Sequence, residues 1–313
     1  MSCLEAPTAL QSRLLQYVLI TPARNEQTFL PQTIEAVCAQ TIKPARWVIV
    51  DDRSSDRTAE IVSSYLPTCN FLRLLRITEG QGRHFANKAN AFNSGIELLS
   101  DIDYDFIGNL DADICLPPSY YESILAEFAA NPRLGVAGGS VQTKFLNGFV
   151  SYSLAQDSVP GAVQLFRRAC FEEMGGGYLA LERGGIDAAA EIIARMNGWQ
   201  VQSFPNCAAQ ESRLTGTASN GVILAKFREG ERFHSLGYST VFYLLRSVLK
   251  MKSQPLVVGS LIALAGFMTA RLMRQPIALP NEVVKYLRSE QKAKLRQYMS
   301  KALPSGFASG TER

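Results

Sequence analysis

Asp111-Ala-Asp113 follows the apolar run Phe106-Ile-Gly-Asn-Leu110, which places two carboxylates on one turn, close enough to share a divalent cation. Hard oxygen ligands suit Mg2+ or Mn2+, and such ions are usually completed by the phosphates of a substrate. The spacing alone is a weak sign, because Asp101-Ile-Asp103 repeats it in a stretch that reads as a loop, and a solvated turn is the competing reading. Position behind a strand sets 111–113 apart. Asp51-Asp52 stands in the same way behind Trp47-Val-Ile-Val50. A carboxylate there can accept hydrogen bonds from the N–H of a base or the hydroxyls of a ribose. The alternative is a helix N-cap, worth about 1 kcal/mol, which needs one acid rather than two. Gly80-Gln-Gly-Arg83 and Asn87-Lys88 lie between the two acidic places and offer flexible backbone and positive charge to a diphosphate. Gly80-x-Gly82 lacks the third glycine and the preceding strand of a dinucleotide fingerprint, which argues against NAD.

These residues need a scaffold that brings strand ends together. Over the first 140 residues short apolar runs alternate with helical patterns, the signature of an α/β sheet covered by helices. Strands are expected at 17–21, 47–50, 71–76 and 106–110, with helices over 30–37, 59–66, 87–99 and 120–130. Polar residues then cluster at three strand ends: Thr21-Pro-Ala-Arg-Asn-Glu26, Asp51-Asp-Arg-Ser-Ser-Asp56 and Asp111-Ala-Asp113. In open parallel sheets ligands bind in the crevice outside the carboxyl ends of strands. Beyond residue 140 the pattern loosens, leaving an expected strand at 162–166, a Gly-rich turn at 175–177, a helix at 188–196 and a strand at 201–204. Past Arg213 the texture changes to amphipathic helices. A boundary near 215 divides an α/β domain, 1–215, from a helical extension, 216–313.

Val18-Leu-Ile-Thr-Pro-Ala-Arg-Asn-Glu26, Val48-Ile-Val-Asp-Asp-Arg-Ser-Ser-Asp-Arg-Thr58, Asn87-Lys-Ala-Asn-Ala-Phe-Asn-Ser-Gly95 and Leu110-Asp-Ala-Asp113 resemble, in order and spacing, the successive signatures of family 2 glycosyltransferases. The likeness spans about residues 17 to 120. It implies a GT-A (nucleotide-diphospho-sugar transferase) fold with a mostly parallel central sheet, a nucleotide-sugar donor, a divalent cation (Mn2+ or Mg2+) and inversion at the anomeric carbon. The donor half would be 17–140 and the acceptor half 141–215. The resemblance puts Thr21, Pro22, Arg24 and Glu26 in the first nucleotide-binding loop, and Asp51 and Asp52 at the base. Arg83, Asn87 and Lys88 would flank the donor. Asp111 would meet the ribose or the cation, and Asp113 the cation. Arg24 replaces a frequent Tyr, which implies altered base stacking or an added phosphate contact.

An inverting transfer also needs a base to take the proton of the attacking acceptor hydroxyl. The family draws an Asp from a Glu-Asp pair opening a helix that ends in Arg, then Gly and an aromatic. Gly184-Gly-Ile-Asp187 leads into such a helix, with Arg195 and Gly198-Trp199 at the matching offsets, so Asp187 is the expected base. Ile186 replaces the Glu, Glu191 is the reserve one turn later, and a helix N-cap is the structural alternative for Asp187. The His that the family often places near Gln210-Glu-Ser-Arg213 is missing, which leaves a third protein ligand to the metal open. Arg213 would face either the diphosphate or solvent. Neither tryptophan, Trp47 or Trp199, sits in the Gln-x-x-Arg-Trp element of processive synthases, so a single transfer is expected.

Composition sets the frame. With 47% apolar and 19% charged residues, the chain is neither disordered nor fibrous. Six scattered cysteines and two histidines indicate no zinc cage and no disulfide framework, and suit a reduced cytosol. Residues 1–16 lack the pattern of a secretory leader. The net charge of +4 conceals a division: 226–313 carries 15 Lys and Arg against 5 Asp and Glu, +10, leaving 17 against 23, −6, for the body. The longest apolar stretch, 256–270, is shorter than the roughly 20 residues of a spanning helix. The segment 238–274, apolar with basic anchors, suits a helix pair lying in a membrane interface or packed on the α/β domain. Basic residues alternating with large aliphatics argue against nucleic acid.

The expectation is a metal-dependent inverting glycosyltransferase that moves one sugar to a saccharide or lipid-linked acceptor. Its setting would be cell-surface polysaccharide or glycolipid synthesis, in the cytoplasm or at the cytoplasmic face of a membrane. The alternatives are a nucleotidyltransferase, which would carry a Gly-rich Arg/Lys loop where Pro22-Ala-Arg-Asn-Glu26 stands, and a nucleotide- or carbohydrate-binding module without catalysis.

Overall fold

Four strands rich in β-branched and aromatic residues, β1 (Tyr17–Ala23), β2 (Arg46–Asp52), β3 (Leu72–Ile77) and β4 (Phe106–Asn109), run parallel in the order β3-β2-β1-β4. The computed structural model describes residues 15–79, 86–145, 148–151, 156–214, 221–250 and 257–302. β1, β2 and β4 are buried on both faces, which is why they read as continuous apolar runs, whereas β3 at the sheet edge exposes Arg73 and Arg76. Val18, Ile20, Val48 and Val50 pack on one side, and Tyr17, Leu19, Trp47 and Ile49 on the other. Helices α1 (Leu30–Cys38), α2 (Thr58–Tyr65) and α4 (Tyr120–Ala130) cover the second face through Leu30, Ile34, Val62, Ile124 and Phe128. Helices α3 (Ala86–Ile96), α5 (Arg168–Glu173) and α6 (Ile186–Met196) cover the first. The acids gather at the carboxyl ends of the strands, Asp51 and Asp52 in the last residues of β2 and Asp111 just past β4.

The sheet continues as a mixed one. β8 (Leu165–Arg167) lies antiparallel to β4, and β6 (Leu134–Phe145) pairs with β8 and, in parallel, with β9 (Gln200–Leu214). β5 (Ile114–Cys115) pairs with β9, and β7 (Gly148–Ser151) with β6. The first four strands are all parallel, and the strands after residue 110 add antiparallel pairings and one parallel pair, β6 with β9. β6 escaped the sequence pattern because Gly135, Gly138 and Gly139 interrupt its apolar residues. A side chain at Gly139 would collide with the Cys207 carbonyl of β9, so close strand approach explains that glycine. The strand expected at 162–166 forms at 165–167, and the helix expected from 188 starts two residues earlier.

One expectation is corrected. Cys38, at the end of α1, and Cys69, after α2, form a disulfide, whereas the scattered cysteines suggested none. Their sequence separation of 31 carries no local signal. The packing of α1 beside α2 brings them together. Cys115, Cys170 and Cys207 are free thiols.

The C-terminal helices are α7 (Val222–Ser235), α8 (Thr240–Lys250), α9 (Val257–Leu272) and α10 (Asn281–Ala302). Val283, Val284 and Leu287 of α10 join the same buried cluster as Ile186, Ala189 and Ile192 of α6. Arg195 of α6 donates to Glu290 (2.9 Å), and Lys294 of α10 donates to Asp157 (2.6 Å). α10, read as mostly polar, is thus tied to α6 and Asp157. α8 is built the other way round from an ordinary surface helix. Tyr243 and Ser247 face inward, Tyr243 stacking on Phe267 at 4.4 Å, while Val241, Leu244, Leu245 and Val248 are exposed. No helix among the described residues is long and apolar enough to cross a membrane.

Candidate active site

The loops after β1 and β2 are zipped together by side chains of opposite strands' ends. The Asn25 amide N–H donates to Ser54 Oγ (3.0 Å), and the Ser55 N–H donates to Asn25 Oδ1 (2.8 Å). The Glu26 N–H donates to Thr58 Oγ1 (2.8 Å), and the Gln27 N–H to Asp56 (3.1 Å). Asn25 and Arg53 both hold left-handed backbone, φ 57° and 56°. Non-glycine residues rarely adopt that conformation, and it concentrates at functional loops. Behind this zipper lie Asp51 and Asp52, both buried. Asp52 pairs with Arg53 (2.7 Å) and Arg24 (3.8 Å), and Asp51 with Arg76 (3.6 Å) and the Ser54 N–H (3.1 Å).

A second acidic group gathers around the turn between β4 and β5. Lys88, in the first turn of α3, donates to both oxygens of Asp111 (2.6 and 2.9 Å). Burial would lower the Lys88 pKa, but the Asp111 carboxylate raises it and keeps the ammonium charged. Arg213 of β9 spans two carboxylates: its Nη2 meets Glu26 Oε2 (2.5 Å) and its Nε meets Asp113 Oδ2 (3.0 Å). Its guanidinium carbon also lies 5.0 Å from the centre of the Phe29 ring. Burial pushes the Glu26 carboxyl up to about 7 against the pull of Arg213, with Asp113, Asp111 and Asp56 adding to the rise. Glu211, a residue the sequence did not single out, is raised by burial and by Asp113 and Asp111, and accepts a hydrogen bond from Thr143 (2.9 Å).

Asp187 reaches this group through two further residues missed in the sequence. Asn109 is 1% exposed, and its Nδ2 donates to Asp111 Oδ1 (2.9 Å) and to the Gly161 carbonyl (2.6 Å). A Cβ built on Gly161 would lie 2.8 Å from Asp187 Cβ and 2.9 Å from its Oδ2. The bare Gly161 backbone therefore sits between Asp111 and Asp187. Left-handed Gly185 is the N-cap of α6, with no side-chain capping bond, so Asp187 lies inside the first turn and is not spent as the cap. Glu191 is 4% exposed, accepting from the Val159 N–H (2.7 Å) and from Gln164 Nε2 (3.1 Å). Burial lifts its carboxyl to about 7. Gln164 in turn accepts from the Tyr178 hydroxyl (2.7 Å). Glu191 thus fastens the 156–164 segment to α6 from below, while Asp187 is half-exposed beside Gly161.

The sequence-derived set divides accordingly. Arg24, Glu26, Asp51, Asp52, Asn87, Lys88, Asp111, Asp113 and Asp187 lie at the strand ends and the adjoining helix starts. Pro22 is half-buried in β1. Thr21 is fully buried, and its hydroxyl accepts from Trp47 Nε1 (2.9 Å), so its side chain serves the core. Arg83 lies outside the described residues. Asn109 and Gln164 had a readable signal: each is a polar residue inside an apolar strand run, where burial demands partners.

The donor chemistry suits a divalent cation. Among the described residues there is no cluster of three or more metal-binding side chains that would cage an ion by itself. Mg2+-type sites characteristically use one or two carboxylates and take their remaining ligands from water and substrate phosphate. Asp111 and Asp113 offer two such carboxylates on one turn, each already paired with a cation, Lys88 or Arg213.

The chain is similar to proteins of known kind. The sequence profile described as glycosyl transferase family 2 matches residues 18–173. A poly-beta-1,6-N-acetyl-D-glucosamine synthase of Staphylococcus aureus is 30% identical over 200 residues, 58% of this chain and 46% of the synthase. The chain thus spans about half the length of that relative. In three dimensions it is similar to the mannosyltransferase PcManGT of Pyrobaculum calidifontis, solved with GDP-Man and Mn2+, at TM-score 0.53 and 16% identity over 93% of this chain and 81% of that one. S. aureus TarS residues 1–349 superpose at TM-score 0.51 and 15% identity over 83% and 73%. These likenesses fix the fold as GT-A. With the profile match over residues 18–173, the chain belongs to glycosyl transferase family 2.

Proposed function

We propose that this protein moves a single sugar from a nucleotide-sugar donor, with inversion, to a saccharide or lipid-linked acceptor in cell-surface polysaccharide or glycolipid synthesis. The observation that carries this reading is the alignment of Asp111, Asn109, Gly161 and Asp187, which sets an uncapped carboxylate across one bare backbone segment from the acidic strand ends. Asp51 and Asp52, behind the zipped loops, would receive the base and ribose, with Arg24 and Arg53 holding Asp52 in place. Lys88, Asn87 and Arg83 would flank the diphosphate. Asp113 and Asp111 would hold a Mn2+ or Mg2+ ion, which when bound offsets the charge that grows on the departing nucleoside diphosphate. Asp187 would take the proton of the acceptor hydroxyl. Glu191, buried and bonded on its acceptor oxygen, suits a positioning role better than that of base.

The test of the activity is release of nucleoside diphosphate from a panel of UDP- and GDP-sugars in the presence of Mn2+. Release from at least one donor supports the reading, and none from any donor leaves the binding-module alternative. Gly161 offers a sharper check on geometry. Its substitution by Ala puts a methyl group against Asp187 Cβ, where α6 or the 156–164 segment must shift. A misplacement of this size costs about 100-fold in transfer. Gly161→Ala should keep its fold by circular dichroism and its donor affinity, and lose transfer.

The relative named as a polymer synthase makes chain extension the second reading. Against it stands the absence of tryptophan beyond Trp199. The acceptor reading draws support from α8 and α9. Among the described residues Leu66, at 37%, is the only exposed large apolar side chain before residue 221, whereas Val241, Val258 and Leu272 are each at least 66% exposed. With Arg246, Arg271 and Arg274 beside them, residues 238–274 would lie on an anionic membrane surface from the cytoplasmic side. The Cys38–Cys69 bond is the feature that runs against a reducing compartment. In flotation with vesicles containing anionic phospholipid, the full chain should rise with the lipid and Val241→Asp/Leu245→Asp should stay below. Equal flotation would remove the membrane contact.

A further inference from the structure

Arg213 occupies an unusual place for a basic residue in a site that binds a metal. It rises from the last residues of β9, where Ser212 N–H bonds the Asp113 carbonyl (2.8 Å) and so fixes the strand against the acidic turn. From there one guanidinium spans Glu26 at 2.5 Å and Asp113 at 3.0 Å, with the Phe29 ring beneath it. The two carboxylates belong to different strand ends, one after β1 and one after β4, and the planar fork of Arg bridges them as a Lys ammonium would not. The guanidinium is therefore held by two carboxylates and a ring, and one of those carboxylates, Asp113, is the one a metal ion would need.

We infer that Arg213 is a resident counter-cation that excludes a free divalent ion from Asp113 until the donor diphosphate arrives. This rests on the glycosyltransferase reading above and adds an order of binding to it. A lone dication must displace the guanidinium and leave that charge beside it, a like-charge contact in a partly buried site. A diphosphate changes the balance, because it brings acceptor oxygens for both the ion and the guanidinium. Arg213 can then turn from Asp113 toward the phosphates, while the ion takes the carboxylate. Arg is suited to that exchange, since it recognises carboxylate and phosphate with the same bidentate geometry. Its side chain is 43% exposed, which leaves it room to move. Lys88 does not duplicate the role, because it holds Asp111 with both oxygens and makes no bond to Asp113.

The test measures Mn2+ binding to the full chain without nucleotide, by electron paramagnetic resonance of the free ion, so it does not depend on turnover. The wild type should bind Mn2+ weakly, and Arg213→Gln about tenfold more tightly. Arg213→Lys keeps the charge but not the fork, and should fall between them. UDP or GDP binding in EDTA, followed by calorimetry, should move the opposite way and weaken in Arg213→Gln. Unchanged or weaker Mn2+ binding by both variants would overturn the inference, as would nucleotide affinity that rises in Arg213→Gln. If Arg213→Gln does not fold, Phe29→Leu, which removes only the ring beneath the guanidinium, should tighten Mn2+ binding by a smaller factor, and no change there would count against it. Release of nucleoside diphosphate by the wild type stays independent of these outcomes, so failure of the ordering and failure of the transferase reading are told apart.

Discussion

Asp187→Asn should lower sugar transfer about 1,000-fold while leaving nucleotide-sugar affinity within about twofold of wild type, since general base catalysis typically contributes 10²- to 10⁴-fold. The substitution keeps the volume and the polar contacts of the side chain and removes only its capacity to take a proton. Because the N-cap of α6 is Gly185, no capping bond is lost with the charge, and the helix should stay intact. Steady-state rates, together with a calorimetric donor affinity, check this. A variant that transfers at the wild-type rate would move the base elsewhere. The nearest alternative carboxylate on α6, Glu191, is committed to Val159 and Gln164, so Glu191→Gln should instead be read out as a loss of stability or of acceptor affinity.

Asp113→Ala should lose about 100- to 1,000-fold in transfer, the several kcal/mol that a bound metal supplies to a developing charge. Its signature differs from that of Asp187→Asn. Donor affinity measured in Mn2+ should fall with the rate, and added Mn2+ should restore neither. The variant also releases Arg213 from one of its two carboxylates, so Glu26 becomes the remaining partner. Nucleotide affinity in EDTA should hold or rise, because the freed guanidinium can meet the diphosphate, and this separates loss of the metal from loss of the pocket. Full activity in Asp113→Ala would contradict the metal assignment.

Much of the donor half was legible in the sequence, because its signals are local. β1, β2 and β4 are buried on both faces, and such strands print themselves as apolar runs that stop where polar and acidic residues begin. That is how Asp51, Asp52, Asp111 and Asp113 stood out. Asp187 was reachable through the offsets of Arg195 and Gly198 from the start of its helix. The acceptor half was harder, since its order depends on partners distant in sequence. β6 hides behind glycines that admit distant neighbours, Gly139 the Cys207 carbonyl of β9 some 70 residues away. Gly161 looks like an ordinary turn residue until Asp187 is placed against it. The Cys38–Cys69 bond and the α10 ion pairs to Arg195 and Asp157 likewise join segments with no shared pattern. Thr21 shows the converse, a residue inside a recognisable motif whose hydroxyl serves the Trp47 indole.

The account comes down to whether the sugar leaves its nucleotide by displacement from the face opposite the diphosphate. With a productive α-linked donor, Mn2+ and water as acceptor, proton NMR of the sugar released in the first turnovers reads the anomeric configuration before it equilibrates. Release of the β-anomer, lost in Asp187→Asn, is the result predicted here. Release of the α-anomer, or a rate indifferent to Asp187, would contradict it.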